Sequence, residues 1–326
     1  MSRCYICGRG NSDAGHYHEA CLGNVFRTPE LPQFDYSLGD LNSLLQEQAF
    51  SRISLPGETP MLAFHCKSYR WRVPQSWALL PEPGEFVLDL PTPDFPCLPE
   101  ARHFYLNFAS ALGFETAPCA LVKLRSKEFA LLRRRFDRTT KVRMPRHIED
   151  FCQLEELPSR MKYWHSLEDA ADVIRRFSDT PTISLVRFFE RSLFYFISGC
   201  GDVHYKNLRM LCRRVAVGSY RNRVSKYDLE PLTDIMPPVL HPTSDEAELA
   251  LPLRGKNTGI RRIDFEEFGT VRCQMRKVQM NNAFRRILKL ADRNCESLLD
   301  RSFLPDEYRD RIRQIVLERV ARLNGE

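Results

Sequence analysis

Residues 199–210, GCGDVHYKNLRM, decide how this chain is read. Asp202, His204, Lys206 and Asn207 lie within six positions, after the apolar stretch SLVRFFERSLFYFISGC and before a β-type segment. Phosphoryl transfer needs a carboxylate to orient the attacking hydroxyl and an amide oxygen a few residues on to hold Mg²⁺. It also needs a second carboxylate across the metal, and Leu232-Thr233-Asp234-Ile235 offers Asp234. Read without context, the same residues are equally a polar turn capping two elements, because Asp and Asn are common in loops.

Upstream of this loop the chain is rich in short strand-like runs. In MLAFHCKSYRWRV and SWALLPEPGEFVLDLP, residues Trp71, Val73, Trp77, Phe86 and Leu88 have strand spacing, and Pro83-Gly84 reads as a turn. A Pro-rich bridge, PTPDFPCLPE, leads into a helical pattern through Phe104, Phe108 and Leu112, with Gly113 as its C-terminal cap. CALVKLRS and EFALLRRRFDR read as a further strand pair, and Leu38 to Phe50 as a helix. After Asp150 long helices dominate, interrupted by a strand–turn–strand segment from Leu208 to Asp234 with its turn at Gly218 to Arg223. The expected organisation is a Cys/His head at 1–23, a β-rich lobe at 24–138 and a mainly helical lobe at 139–326. The fold class is therefore α+β with two lobes.

The composition excludes several classes. The 326 residues are 43% hydrophobic and 28% charged, which is globular and neither low-complexity nor disordered. Lys and Arg exceed Asp and Glu by 48 to 42, giving a net charge of +6, too shallow an excess to mark a nucleic-acid binder. The Arg runs at 133–135, 213–214 and 261–262 read as solvated faces or strand edges. His147 and His165 read as surface histidines, and Arg209 as a weak candidate for a phosphate contact. Eleven cysteines, mostly without regular spacing, do not make a disulfide framework. The longest apolar cluster carries Arg187, Glu190 and Arg191, so no membrane span is expected. With no signal-peptide pattern in MSRCYICGRG, the expectation is a reduced, cytoplasmic, soluble protein.

Cys4-x2-Cys7 followed by His18-x2-Cys21 sets four soft donors within 18 positions. Tetrahedral Zn²⁺ accepts three Cys and one His, and a fully ligated ion is structural because no position stays open. His16 is a spare imidazole. So short a segment has little apolar surface, so a metal would supply much of its folding energy. The opposing reading is free thiols and a solvated histidine.

Several stretches together resemble the HipA family, bacterial Ser/Thr kinases with a two-lobed protein-kinase-like fold that act as toxins of toxin–antitoxin pairs. RRRFDR (133–138) resembles the family's hinge, and RHIEDFCQL (146–154) with Lys162-Tyr163 its Asp-x-Cys-Gln … Lys-Tyr stretch. GDVHYKN resembles the catalytic loop, LEPLTDI the metal-binding turn, and ELALPLRGKN (248–257) a later loop. The length, the Cys head and YHEACLGNVF are closer to the short form, HipT. The resemblance implies ATP and Mg²⁺ as cofactors, with Asp202 as base and Asn207 and Asp234 as Mg²⁺ ligands. It places the Arg134, Arg135 and Phe136 backbone at the adenine, and His204 and Lys206 at the loop or the transferred phosphate. It further implies a protein substrate such as an aminoacyl-tRNA synthetase, autophosphorylation, a helix-turn-helix antitoxin, a possible small accessory subunit, and contact with DNA only through the antitoxin.

The chain departs from the family pattern at the phosphate-binding parts. The Lys that pairs with ATP phosphates is matched by Asp89 in EFVLDLPTPDFP, and its Glu partner by Arg102 in LPEARHFY. An Asp89–Arg102 bridge would preserve the lobe. A carboxylate left facing polyphosphate would instead meet a repulsion of about 4 kcal/mol at 4 Å and an effective dielectric of 20. In the phosphate loop, Ser54 and Gly57 match, whereas Pro56 replaces a Ser and Met61 a Lys; Ser54 or Thr59 remains as phosphoacceptor. Two readings follow. One is an active kinase whose phosphate cation has moved to Arg102 or Lys67. The other is a pseudokinase that binds a partner protein. A third, a nucleic-acid module built on the Cys head, has the least support.

Overall fold

The computed structural model describes residues 2–11, 15–50, 61–69, 76–81, 84–138, 146–216, 223–233, 235 and 247–325. Ser54, Gly57, Thr59, Trp71, Val73, Asp234 and the turn at 217–222 lie outside the described residues. The chain divides into two compact units: 1–107 with 116–144 and 298–304, and 108–115 with 145–297 and 305–326.

In the first unit, β1 (Ser2–Arg3) and β2 (Gly10–Asn11) pair antiparallel and precede α1 (Glu19–Phe26) and α2 (Leu38–Phe50). Next come β3 (Met61–Tyr69), β4 (Ser76–Leu80), β5 (Phe86–Asp89), α3 (Leu98–Ala111, in this unit through Asn107), β6 (Cys119–Lys123) and β7 (Phe129–Arg134). The five strands form one antiparallel sheet in the order β4-β3-β5-β7-β6. Period-two alternation turns Leu62, Phe64, Phe86, Leu88, Val122 and Leu132 to one face, where they pack with Leu22, Val25, Phe26 and Leu41. Complete burial of such side chains contributes about 1.5–3 kcal/mol each. That packing holds α1, whose eight residues are too few to persist alone.

The Cys/His segment is built into this core. Tyr5 stacks on His16 (4.6 Å, 6°) and sets its edge against Phe129 (5.0 Å) and Phe303 (5.4 Å). Leu121 N–H donates to the Tyr5 carbonyl (3.0 Å), and the Tyr17 hydroxyl donates to the Leu121 carbonyl (2.8 Å).

The second unit contains β8 (Ile148–Asp150), α4 (Phe151–Leu154), α5 (Leu167–Phe177), α6 (Pro181–Ser198), β9 (Arg209–Ala216), β10 (Arg223–Leu229), α7 (Arg262–Val271), α8 (Lys277–Asp300, in this unit through Ser297) and α9 (Asp306–Asn324). Its sheet runs β10-β9-β8, antiparallel throughout. Helix α6 is apolar over most of its circumference and forms the centre, with Phe189 against Phe265, Phe268 and Phe284. A reciprocal cap between Ser166 and Asp169 starts α5. Among the described residues no helix is long and apolar enough to cross a membrane.

Candidate functional site

Helix α6 stops at Gly199, whose φ of +75° is the left-handed cap conformation that glycine adopts without strain. Two residues on, Gly201 lies so close to the 248–250 backbone that a Cβ would sit 2.4 Å from the Glu248 carbonyl oxygen. Ala250 N–H donates to the Gly201 carbonyl (2.6 Å) and fixes the start of the loop. Val203, His204 and Tyr205 turn inward. The Tyr205 ring stacks on His165 (4.3 Å), and its N–H donates to the Lys162 carbonyl (3.1 Å). The loop then closes on itself, because Asn207 N–H donates to the His204 carbonyl (2.8 Å) while Asn207 Oδ1 accepts from His204 N–H (3.4 Å).

Asp202 is half-buried, and its Oδ1 accepts a hydrogen bond from the Tyr163 hydroxyl (2.9 Å). Burial, and then the Asp202 charge, push the Tyr163 phenol up, so it stays a donor across the physiological range. The same ring meets His204 edge-on (4.9 Å, 84°) and carries the Lys162 ammonium 4.8 Å from its centre. Burial pulls the Lys162 pKa down, with Asp202 opposing. Residues 162–163 therefore brace the loop from outside. Lys206 points elsewhere: its Nζ donates to Asp150 Oδ2 (3.1 Å), and Asp150 also caps α4 through Gln153.

Arg209, read from the sequence as a weak candidate for a phosphate contact, turns inward. It is buried, pairs with Glu230 and donates to the Thr233 hydroxyl. The strand leaving the loop is thereby tied to the residue before Asp234. The structure thus gathers Asp202, His204 and Asn207, turns Lys206 onto Asp150, and gives Tyr163 and Thr233, named in the sequence only as parts of family-like stretches, contacts to Asp202 and Arg209.

In the first unit, Asp89 is fully buried on the sheet face opposite the apolar cluster. Arg102 of α3 donates to its Oδ1 (2.7 Å), and Arg133 of β7 reaches both oxygens, through Nε (2.5 Å) and a terminal nitrogen (2.7 Å). Two guanidiniums thus hold one carboxylate, and Arg133 also contacts Met61 Sδ (3.3 Å). The expected Asp89–Arg102 bridge is present. The expectation of a solvated arginine run fails at Arg133, because strand alternation sends it inward. Arg134 donates to the Asn24 (3.0 Å) and Val25 (3.3 Å) carbonyls at the end of α1. Arg135 grips Asp137 (2.6 Å) and donates its N–H to the Glu85 carbonyl (2.8 Å); Phe136 follows, half-buried.

Cys4, Cys7, His18 and Cys21 converge, each offering a ligand atom within 4.8 Å of the others. His18 Nδ1 lies 3.4 Å from Cys7 Sγ and 3.7 Å from Cys21 Sγ. Its Nε2, donating to the Gly10 carbonyl (3.2 Å), leaves Nδ1 as a lone pair aimed at the sulfurs. His16, stacked on Tyr5, is not one of the four. Burial and the neighbouring Cys4 and Cys7 push the Cys21 thiol up to about 12. Three sulfurs so close cannot all ionise unless a cation sits among them, and this donor set fits tetrahedral zinc.

The HipA-like C-terminal domain family model matches residues 60–295, well over half of the chain. The chain belongs to this family. Asp89, Arg102, Asp202, Asn207 and Asp234 all fall within the HipA-like stretch, whereas the Cys/His cluster precedes it. Y4mE of Sinorhizobium fredii, named as a kinase, is 25% identical over 218 residues, 65% of this chain and 49% of Y4mE. A kinase-named protein of Haemophilus influenzae is 24% identical over 268 residues, 74% of this chain and 75% of that protein. The chain thus spans about half the length of the first relative and three quarters of the second. HipA of Shewanella oneidensis MR-1, solved with HipB and operator DNA, superposes with a TM-score of 0.63 at 15% identity, covering 90% of this chain and 73% of that one. The Helicobacter pylori proinflammatory kinase CtkA gives 0.51 at 16%, covering 81% and 96%. These likenesses establish the HipA-like, kinase-related α+β fold.

Proposed function

We propose that this chain is a HipA-like serine/threonine kinase that transfers the γ-phosphate of ATP to a hydroxyl of a protein substrate and of itself. The observation that carries the reading is the Asp202 carboxylate, anchored through one oxygen by Tyr163 in a loop whose next amide, Asn207, is folded back onto His204. Asp202 would act as base and orient the acceptor hydroxyl, and Asn207 and Asp234 would hold Mg²⁺, whose charge would stabilise the transferred phosphoryl group. Lys206 sets the loop through Asp150. The buried pairing of Asp89 with Arg102 and Arg133 supports this reading, since it removes the repulsion that a free carboxylate would exert on polyphosphate. Ser54 and Thr59 are the candidate self-acceptors. The partner would be a helix-turn-helix antitoxin, as HipB accompanies HipA in the Shewanella complex. An aminoacyl-tRNA synthetase is the proposed substrate class, the cytoplasm the proposed location, and a structural zinc on Cys4, Cys7, His18 and Cys21 the second metal.

Transfer from labelled ATP, compared among wild type, Asp202→Asn and Asp234→Asn, tests this. Label is expected in the wild type alone, and equal incorporation in all three would refute the proposal. A pseudokinase remains the second reading, favoured by one observation: the position matched to the phosphate-binding Lys holds Asp89, and the position matched to its Glu partner holds Arg102, so no cation stands where the Lys would. Calorimetry separates the two. Micromolar Mg·ATP affinity that disappears in Asp234→Ala supports the kinase.

A further inference from the structure

The residues interleaved with the Cys/His donors grip a segment from the far end of the chain. Leu298–Leu304, the end of α8 and the turn toward α9, belongs to the first unit. Arg3, beside Cys4, donates to the Ser302 carbonyl (2.9 Å) and lies 5.0 Å from the centre of the Phe303 ring. Tyr5, on the other side of Cys4, meets the same ring nearly at right angles. Gly8, beside Cys7, runs so close to the segment that a Cβ would collide with the Arg301 carbonyl oxygen, and its φ of +71° is one that glycine adopts without strain. Gly8 N–H donates to the Cys4 carbonyl (2.8 Å), and Cys4 N–H to the Arg9 carbonyl (2.8 Å). The same turn of backbone thus carries Cys4, Cys7 and these three contacts to 298–304.

The Arg301 side chain completes the juxtaposition. Its Cγ lies against Gly8, and its Nε is buried with no hydrogen-bond partner among the described residues. Burial, and then Arg9, pull its pKa down, while Cys7 acts in the opposite direction, so the guanidinium is within electrostatic reach of a donor sulfur. Three thiolates and a neutral imidazole around Zn²⁺ leave one net negative charge. Outer N–H donors commonly steady such a centre, and a guanidinium is a charge-assisted one. Neutral thiols would offer Arg301 no such counter-charge. Strands β1 and β2 have only two residues each, so a bound ion would supply much of the order of the backbone between them.

We propose that a zinc ion on Cys4, Cys7, His18 and Cys21 is a clasp for Leu298–Leu304, with Arg301 as the outer counter-charge of the zinc–thiolate centre. The clasp rests on the zinc reading above and is independent of kinase activity. Zinc fixes the backbone that touches the segment and draws Arg301 in; removal of zinc frees the segment while the sheet stays folded. Hydrogen exchange read by mass spectrometry tests this on the full chain, zinc-loaded and chelator-stripped under reducing conditions. Exchange in 298–304 is expected to rise by roughly tenfold or more on stripping, with β5, at the centre of the sheet, unchanged. Competition with a chromogenic chelator should show zinc held about tenfold more weakly in Arg301→Gln, and Arg301→Lys, which keeps the charge, should recover part of that loss. A chain that takes up no zinc at micromolar concentration would overturn the zinc reading and the clasp with it. One equivalent of zinc bound, with 298–304 equally protected in both forms or with β5 exposed together with it, would overturn the clasp and leave the zinc. Wild-type zinc affinity in Arg301→Gln would overturn the role of Arg301. The wild-type exchange comparison decides the clasp even if that variant fails to fold.

Discussion

Asp89 illustrates how much one side chain depends on its partners. Its carboxylate compensates two buried guanidiniums, so Asp89→Asn removes a counter-charge that both share and should cost about 3–5 kcal/mol. Urea unfolding checks this, and an unchanged midpoint would contradict it. Sequence alone showed that the usual Lys and Glu were exchanged for Asp89 and Arg102, but not that Arg133 joins them. A run of three arginines looks solvated until strand alternation assigns each to a face. Tyr163 was similarly unreadable as a support, because it lies 39 positions from the carboxylate it holds. A hydrogen bond to a charged group contributes about 1.5–3 kcal/mol. Under the kinase reading, Tyr163→Phe should therefore lower kcat by roughly 10–100-fold and leave the KM for ATP unchanged. Steady-state kinetics decides, and a change in KM alone would make Tyr163 a binding residue.

At the scale of elements, the catalytic-type loop is positioned by a close backbone approach. Gly201→Ala would drive a methyl to 2.4 Å from the Glu248 carbonyl oxygen, so one of the two segments must move. We expect a loss of about 1–3 kcal/mol in stability and, under the kinase reading, more than tenfold in phosphoryl transfer. Circular dichroism melts and transfer assays measure the two effects, and wild-type values in both would show the contact to be slack. Long periodic elements were legible: the helix expected at Leu38–Phe50 has those bounds, and the strand pair after the loop appears as β9 and β10. Helix α1 was not foreseen. Its buried Leu22, Val25 and Phe26 follow helical spacing, but the adjoining Cys and His signal drew the reading toward a metal loop. Strand β8 has only three residues, too few to show a period.

For the molecule as a whole, pH dependence offers a test. His103 is buried, its imidazole donates to the Ile6 carbonyl (2.7 Å), and burial, with Arg301 nearby, pulls its pKa down to about 4. An unfolded His protonates near 6.5, so the unfolded chain binds this proton first. The stability that the neutral ring contributes is full above pH 6.5, falls as pH drops toward 4, and amounts to about 3 kcal/mol. His103→Gln should flatten the fall in unfolding free energy between pH 7 and 4, and parallel curves for the two proteins would refute the assignment. By itself, the sequence determined the α+β class, the order of the β-rich and helical parts, the HipA-like resemblance and the four Cys/His donors, because periodicity and motif spacing are local properties of the chain. Only the tertiary structure decided that Asp89 is paired from two elements, that Tyr163 holds Asp202, and that Arg209 is buried on Glu230. Those facts depend on which distant residues share a face and lose water together, and no spacing along the chain encodes that.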